Sequence, residues 1–175
     1  VSSEPTDREA IHDLAALYMR GLDRLDGDLL RDQFWPDAHL SYGIYDGDPD
    51  GFAAFCMEAL ASHDRNHHML GQHLIDLAGE EAFGEVYYQA YHKLTNEQGE
   101  KRDLVISGRY VDRYERRGGT WKIAYRSELV DWVRDDPSAD QFLDTSPMIV
   151  GRRKPDDPLY DRDVMRKPSG EPDET

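Results

Sequence analysis

Gly108-Arg109-Tyr110-Val111-Asp112-Arg113-Tyr114-Glu115-Arg116-Arg117-Gly118-Gly119-Thr120-Trp121-Lys122-Ile123-Ala124-Tyr125-Arg126 is the stretch on which the fold turns. Aromatic and β-branched residues flank a Gly-Gly pair, the composition of two strands joined by a tight turn. Neighbouring runs repeat the pattern. Residues 67–77, 82–94, 104–116 and 120–134 read as four long strands, parted by turn signals at Ala78-Gly79-Glu80, Asn96-Glu97-Gln98-Gly99 and Arg117-Gly118-Gly119. Consecutive strands with short turns predict an antiparallel meander, twisted and strongly curved.

What precedes the meander is helical. Thr6-Asp7-Arg8-Glu9 follows Pro5 as a capping box, and Ile11, Leu14, Tyr18, Leu22 and Leu25 then recur at helical spacing, with Ala15 and Leu17 widening the apolar arc. A helix apolar over so much of its circumference needs a concave partner. The spacing predicts a short second helix over 28–34 stopped by Pro36, a strand over 38–45 and a third helix over 52–63. Helices first and strands after predict an α+β fold: a strongly curved antiparallel sheet, a cone or half-barrel, wrapped around the N-terminal helices. Residues 1–134 are expected to form that domain. Residues 135–175 hold six of the nine prolines and little apolar periodicity, so they read as an extended proline-rich C-terminal tail. Phe142, Leu143, Met148, Ile149 and Val150 are its expected anchors, on its own domain or on a neighbouring subunit.

Composition narrows the partners. The chain carries 36 acidic against 21 basic residues, a formal net charge of −15. Such a field repels nucleic-acid backbones and anionic membranes, so neither is an expected partner. No apolar run is long enough to span a bilayer and no secretory leader opens the chain, so a cytoplasmic location is expected. The single cysteine, Cys56, sits in the apolar run Phe52-Ala53-Ala54-Phe55-Cys56-Met57 and reads as a buried, inert thiol. Glycine-rich phosphate loops and serine-centred nucleophile elbows are absent.

Acid–base chemistry is what remains, and Asn66-His67-His68-Met69-Leu70-Gly71-Gln72 is where it concentrates. In strand register His68 shares a face with Leu70, Gln72 and Leu74. A core histidine bonded to a backbone carbonyl is the plainer reading; a catalytic one needs a carboxylate to fix its tautomer. Asp23 borders the apolar arc of the first helix, where a carboxylate is unfavourable unless paired. It is the candidate partner, against a helix-end aspartate standing in water. Tyr18 lies five residues earlier, about 140° round the helix, and is either a core aromatic or a hydroxyl donor at the helix end. Arg126 alternates onto one face with Ala124, Val130 and Trp132, an inward charge that calls for Asp23 or Asp131. His92, on the neighbouring strand, is a second candidate proton-transfer group or a plain surface residue. His68, Asp23, Arg126 and Tyr18 are thus the candidate catalytic residues, and Tyr91, His92, Trp132 and Met19 the candidate substrate-binding ones. His63, His67 and His73 invite a metal reading, but the helix ends near His63, which breaks the spacing a zinc pair needs. No metal and no cofactor are expected.

The segments Leu17-Tyr18-Met19-Arg20-Gly21-Leu22-Asp23, His68-Met69-Leu70-Gly71-Gln72 and Gly108 through Arg126 together resemble the SnoaL-like group of the nuclear transport factor 2 superfamily. The likeness spans about residues 6–134. It implies the cone fold, and it aligns Asp23 and His68 with the Asp–His pair that abstracts protons in the dehydratase and dehydrochlorinase branch. Arg126 matches that branch's late-strand arginine, and Tyr18 the tyrosine of its bile acid dehydratase. By resemblance the chain is expected to be a cofactor-independent lyase acting on a small hydrophobic, cyclic molecule. An isomerase, a polyketide cyclase-like enzyme or a non-catalytic ligand-binding subunit are the alternatives the family also offers. A homo-oligomer, dimer or trimer, is implied as well. Asn66 stands where the dehydrochlorinase has a cysteine, Tyr125 where many relatives are expected to have histidine, and the proline-rich tail is not a family constant.

Overall fold

The structure, a computed structural model, describes residues 6–140 and 142–166. Helix α1 (Asp7–Asp23) starts at the expected capping box: Glu9 N–H donates to Thr6 Oγ1 at 3.3 Å, and Thr6 N–H donates to the Glu9 carboxylate at 2.7 Å. Its apolar arc buries Ile11, Leu14, Ala15, Tyr18, Met19 and Leu22. Gly21 lets the next helix, α2 (Gly27–Asp32), cross at close range, because a Cβ there would lie 2.9 Å from the Leu30 backbone.

Strand β1 spans Phe34–Ser41, so the second helix ends earlier than expected and Pro36 lies inside a strand. The pairing of β1 with its neighbour is interrupted between Phe34 and His39, so the proline's missing N–H falls in a gap of the ladder. A two-residue strand β2 (Asp46–Gly47) leads to α3 (Pro49–Ala61), capped by Asp48. Four long strands follow: β3 (Arg65–Ala78), β4 (Glu81–Thr95), β5 (Lys101–Arg117) and β6 (Thr120–Pro137).

The sheet order is β2-β1-β6-β5-β4-β3, open at both edges. The four-strand meander is antiparallel as expected, but β1 runs parallel to β6 and makes the sheet mixed. A parallel neighbour needs a long connection, and β2, α3 and the three strands β3 to β5 supply it. The curved sheet holds α1 and α3 on its concave side, and the apolar core lies between them.

Three bulges decide which side chains face that core. In β3 an extra residue at Gly71-Gln72 flips the alternation, so His68 and Leu70 face inward, then His73 and Ile75, while Leu74 turns out, 60% exposed. In β6, Ala124 and Asp131 are the extra residues. Arg126, Glu128 and Val130 therefore share the concave face, and Trp132 is carried to the convex one. Uninterrupted alternation would have kept Leu74 beside His68 and Trp132 beside Arg126.

Beyond β6 the tail includes a single helical turn α4 (Phe142–Thr145) and two 3-10 turns, Pro158–Tyr160 and Val164–Arg166. Charged groups hold it more than the expected apolar anchors do. Met148 and Ile149 are 56% and 95% exposed, and the Phe142 side chain lies outside the described residues. Arg24 Nη1 donates to the Arg152 carbonyl at 2.8 Å, Lys154 N–H to the Arg24 carbonyl at 2.9 Å, and Lys154 Nζ to Asp26 at 2.9 Å. No helix among the described residues is long and apolar enough to cross a membrane.

Candidate active site

Asp23 is the last residue of α1, where the helix dipole disfavours an anion. Hydrogen bonds from β3 offset that. The His68 backbone N–H donates to Oδ1 and Oδ2 at 3.0 and 3.1 Å, and His68 Nδ1 donates to Oδ1 at 2.7 Å. Both side chains are buried, 9% and 7% exposed. An ionised carboxylate only accepts, so this contact requires the Nδ1–H tautomer and leaves the lone pair on Nε2. Asn66 completes the setting. Its Nδ2 donates to the Leu22 carbonyl at 3.3 Å and reaches Asp23 Oδ1 at 3.5 Å, while its Oδ1 accepts from Arg153 Nη2 at 3.1 Å.

Arg126 is fully buried. Its partner is neither Asp23 nor Asp131 but Asp112 of β5, which accepts from Nε at 2.8 Å and Nη2 at 2.7 Å. Asp131 pairs with Arg109. The guanidinium lies between the Tyr18 and Tyr110 rings, 4.3 and 4.4 Å from their centroids, and Nη1 has no acceptor among the described residues. Tyr18 Oη and Tyr42 Oη share a hydrogen bond of 2.9 Å, and burial pushes both phenols well above their ordinary range, so they stay protonated donors. With Phe34 and Phe52 these rings fill the deep end of the cone.

A histidine wall flanks the dyad. His92 is 6% exposed, its ring set edge-on to His68 at 5.2 Å and to His63 at 5.0 Å. Burial first, then the neighbouring His68 and His63, push it down to about 3, so it stands as a neutral group. Its Nδ1 lacks a partner among the described residues. His67 faces away from this wall, opposite Tyr91 on the convex face. No group of three or more His, Cys, Asp or Glu that could hold a metal ion occurs among the described residues. Cys56 is buried and its thiol is pushed up to about 12 by that burial.

Of the expected substrate contacts, Met19 joins His68, Asp23 and Leu70 around an open pocket of about 460 Å³ that Asp157 and Leu159 of the tail also line. Tyr91 lines a second cavity, of about 600 Å³, with Asp23, Asn66 and tail residues 148–153, and donates its hydroxyl to Asp103 at 2.8 Å. Trp132 is 47% exposed on the convex face, away from the dyad.

Glu128, Asp112, Asn66 and Arg153 are absent from the sequence-based expectations. Glu128 was within reach of them, since the alternation that turns Arg126 and Val130 inward includes it. It accepts from Tyr88 Oη at 2.7 Å, and burial raises its carboxyl above the ordinary range.

A curved open sheet closed over a helix that ends in a buried Asp–His pair defines an α+β cone of the nuclear transport factor 2 type. The chain belongs to the SnoaL-like domain family, whose model matches residues 3–127. Among solved structures it is similar to a hexachlorocyclohexane dehydrochlorinase, LinA Type2, at 22% identity and TM-score 0.70, covering 81% of this chain and 95% of that one. The LinA-type3 enzyme of Novosphingobium barchaimii LL02 matches at 20% identity and TM-score 0.68, over 77% and 92% of the two chains. A protein of Novosphingobium aromaticivorans, named provisionally as a scytalone dehydratase, matches at 22% and 0.65, over 75% and 89%. Identities this low speak for the fold alone. No curated protein matches the sequence.

Proposed function

We propose that this protein is a cofactor-independent lyase of the dehydratase type that acts on a small hydrophobic cyclic molecule. The observation that carries the reading is the buried 2.7 Å hydrogen bond between His68 Nδ1 and Asp23. His68 Nε2 takes a proton next to an activating carbonyl. Asp23 holds the ring in the required tautomer and stabilises the imidazolium, the role a buried carboxylate plays in a catalytic triad. Arg126 and the Tyr18–Tyr42 pair lie behind the dyad, where the guanidinium charge and the phenol dipoles would favour negative charge that develops on substrate oxygen.

The test is turnover of a panel of hydroxylated cyclic ketones, followed by the ultraviolet absorbance of the enone that forms. H68A and D23N are each expected to lose about 10²–10⁴-fold, the usual contribution of general-base catalysis. Wild-type rates in both variants would mean that the dyad is not the catalytic base, and no turnover of the panel by the wild type would leave a ligand-binding subunit as the reading. An isomerase or cyclase with the same dyad would shift bonds without releasing water.

The homo-oligomer belongs to the same proposal. Tyr87, Val111, Leu129 and Trp132 stand exposed on the convex face, which a second copy would cover.

A further inference from the structure

The concave face holds one more ionisable group that the dyad does not use. Glu128 lies on β6 between Arg126 and Val130, opposite Tyr110 on β5. Tyr88, stacked on Tyr110 at 4.6 Å, donates to its Oε1, and Oε2 has no hydrogen bond among the described residues. Val130 and Val133 on the same face remain 50% and 55% exposed and Glu128 itself is half-buried, so solvent reaches this part of the sheet. We propose that Glu128 is the proton donor of this site and that the group it serves is a departing hydroxyl, so that the substrate is a β-hydroxy carbonyl compound and not a halide. The inference rests on the reading of His68–Asp23 as the base.

Charge complementarity carries it. Glu128 lies opposite Tyr110, accepts from Tyr88 and stands two residues along β6 from Arg126, and the charges of Tyr42, Cys56 and His68, the last on the concave face of β3, are also felt there. Burial favours its neutral acid, while positive charge on His68 and on Arg126 favours the carboxylate. When His68 Nε2 removes the α-proton, the C–H electron pair becomes the new C=C bond, the β C–O bond breaks, and its electrons leave with oxygen. That oxygen takes the proton of the Glu128 carboxyl and departs as water. Imidazolium and carboxylate are then present together, and each stabilises the other. Return of the proton from His68 to Glu128 resets the site. A halide leaves as a stable anion and needs no proton, so a half-buried acid on the same concave face as the base would serve nothing in a dehydrohalogenation.

Two probes separate the proposal from the reading beneath it. Deuterium exchange into the α-position of cyclohexanone in D₂O reports proton abstraction alone, and conversion of 3-hydroxycyclohexanone to the enone reports abstraction with departure of hydroxyl. E128Q, which still accepts from Tyr88, is expected to keep exchange within about twofold and to lose elimination by about 10²-fold or more. H68A is expected to lose both. Equal elimination by E128Q and wild type, or loss of both reactions in E128Q, overturns the role of Glu128 while the dyad stands. Exchange retained in H68A, or absent from wild type, overturns the dyad and the proposal with it. A measurement free of substrate completes the set: the side-chain carboxyl ¹³C of Glu128 should titrate above the ordinary glutamate range and move further up in Y88F. Titration at or below that range overturns the proposal.

Discussion

Arg126 is where burial and charge oppose each other most strongly. A guanidinium with no exposed surface keeps its proton, because Asp112 meets it with two hydrogen bonds and two tyrosine rings present their faces to it. Replacing one partner leaves the other charge stranded. D112N is therefore expected to destabilise the protein by about 3–5 kcal/mol in urea denaturation, and the apolar double variant D112L/R126M to recover much of that. An equal loss in the double variant would mean that Arg126 contributes through shape rather than charge. The arginine could be read from the sequence as an inward charge, since it stands among apolar residues at strand spacing. Its partner could not. Asp112 sits inside the run Tyr110-Val111-Asp112-Arg113-Tyr114, and only the pairing of β5 with β6 reveals that it lies opposite Arg126. Asp23 and His68 were legible for the opposite reason: each is a polar residue at the edge of an apolar pattern, and one needs what the other offers.

Elements were legible where local chemistry announces them and obscure where the backbone departs from its period. The capping box, the glycine turns and the four strands follow from residue types alone. Bulges do not, although Gly108 carries a trace of one: the Leu129 carbonyl occupies the space where its Cβ would stand. One added residue at Asp131 was enough to send Trp132 to the wrong face of the expectation. The tail shows the same limit. Its anchors were sought among apolar residues, yet charged groups tie it down, Arg153 among them, donating to the carbonyls of Leu60 at 2.9 Å and His63 at 2.8 Å and to Asn66 at 3.1 Å. A cation at a helix C-terminus meets both the free carbonyls and the negative end of the dipole. R153A is expected to cost about 1–3 kcal/mol, read from the urea midpoint, and to speed amide exchange at Asn66 and His68. R162A, at an exposed position, is the control. If R153A exchanges like wild type at those amides, the tail does not brace the dyad.

Across the whole molecule, the excess of acid lies mostly at the surface, while the interior keeps histidines that must stay neutral. Composition shows the first and hides the second, because a histidine's burial is set by contacts between distant segments. His92 is pushed down to about 3 and His73 to about 4, both chiefly by burial, and His63 shifts the same way. The sign follows from proton linkage. Between the ordinary histidine value of 6.5 and those lowered values the unfolded chain binds protons that the folded one refuses, so stability is full above 6.5 and falls as the solution is acidified. For His92 alone the loss between pH 8 and pH 5 is about 2 kcal/mol. Glu128 works in the other direction, since a carboxyl raised by burial gains stability as it takes up its proton. Urea midpoints measured from pH 8 to pH 5 should therefore fall in the wild type and fall less, by about 2 kcal/mol, in H92F, whatever the absolute stability of that variant. Parallel curves would mean that His92 carries a charge in the folded state, and a charged His92 beside His68 would remove the neutral wall on which the base depends.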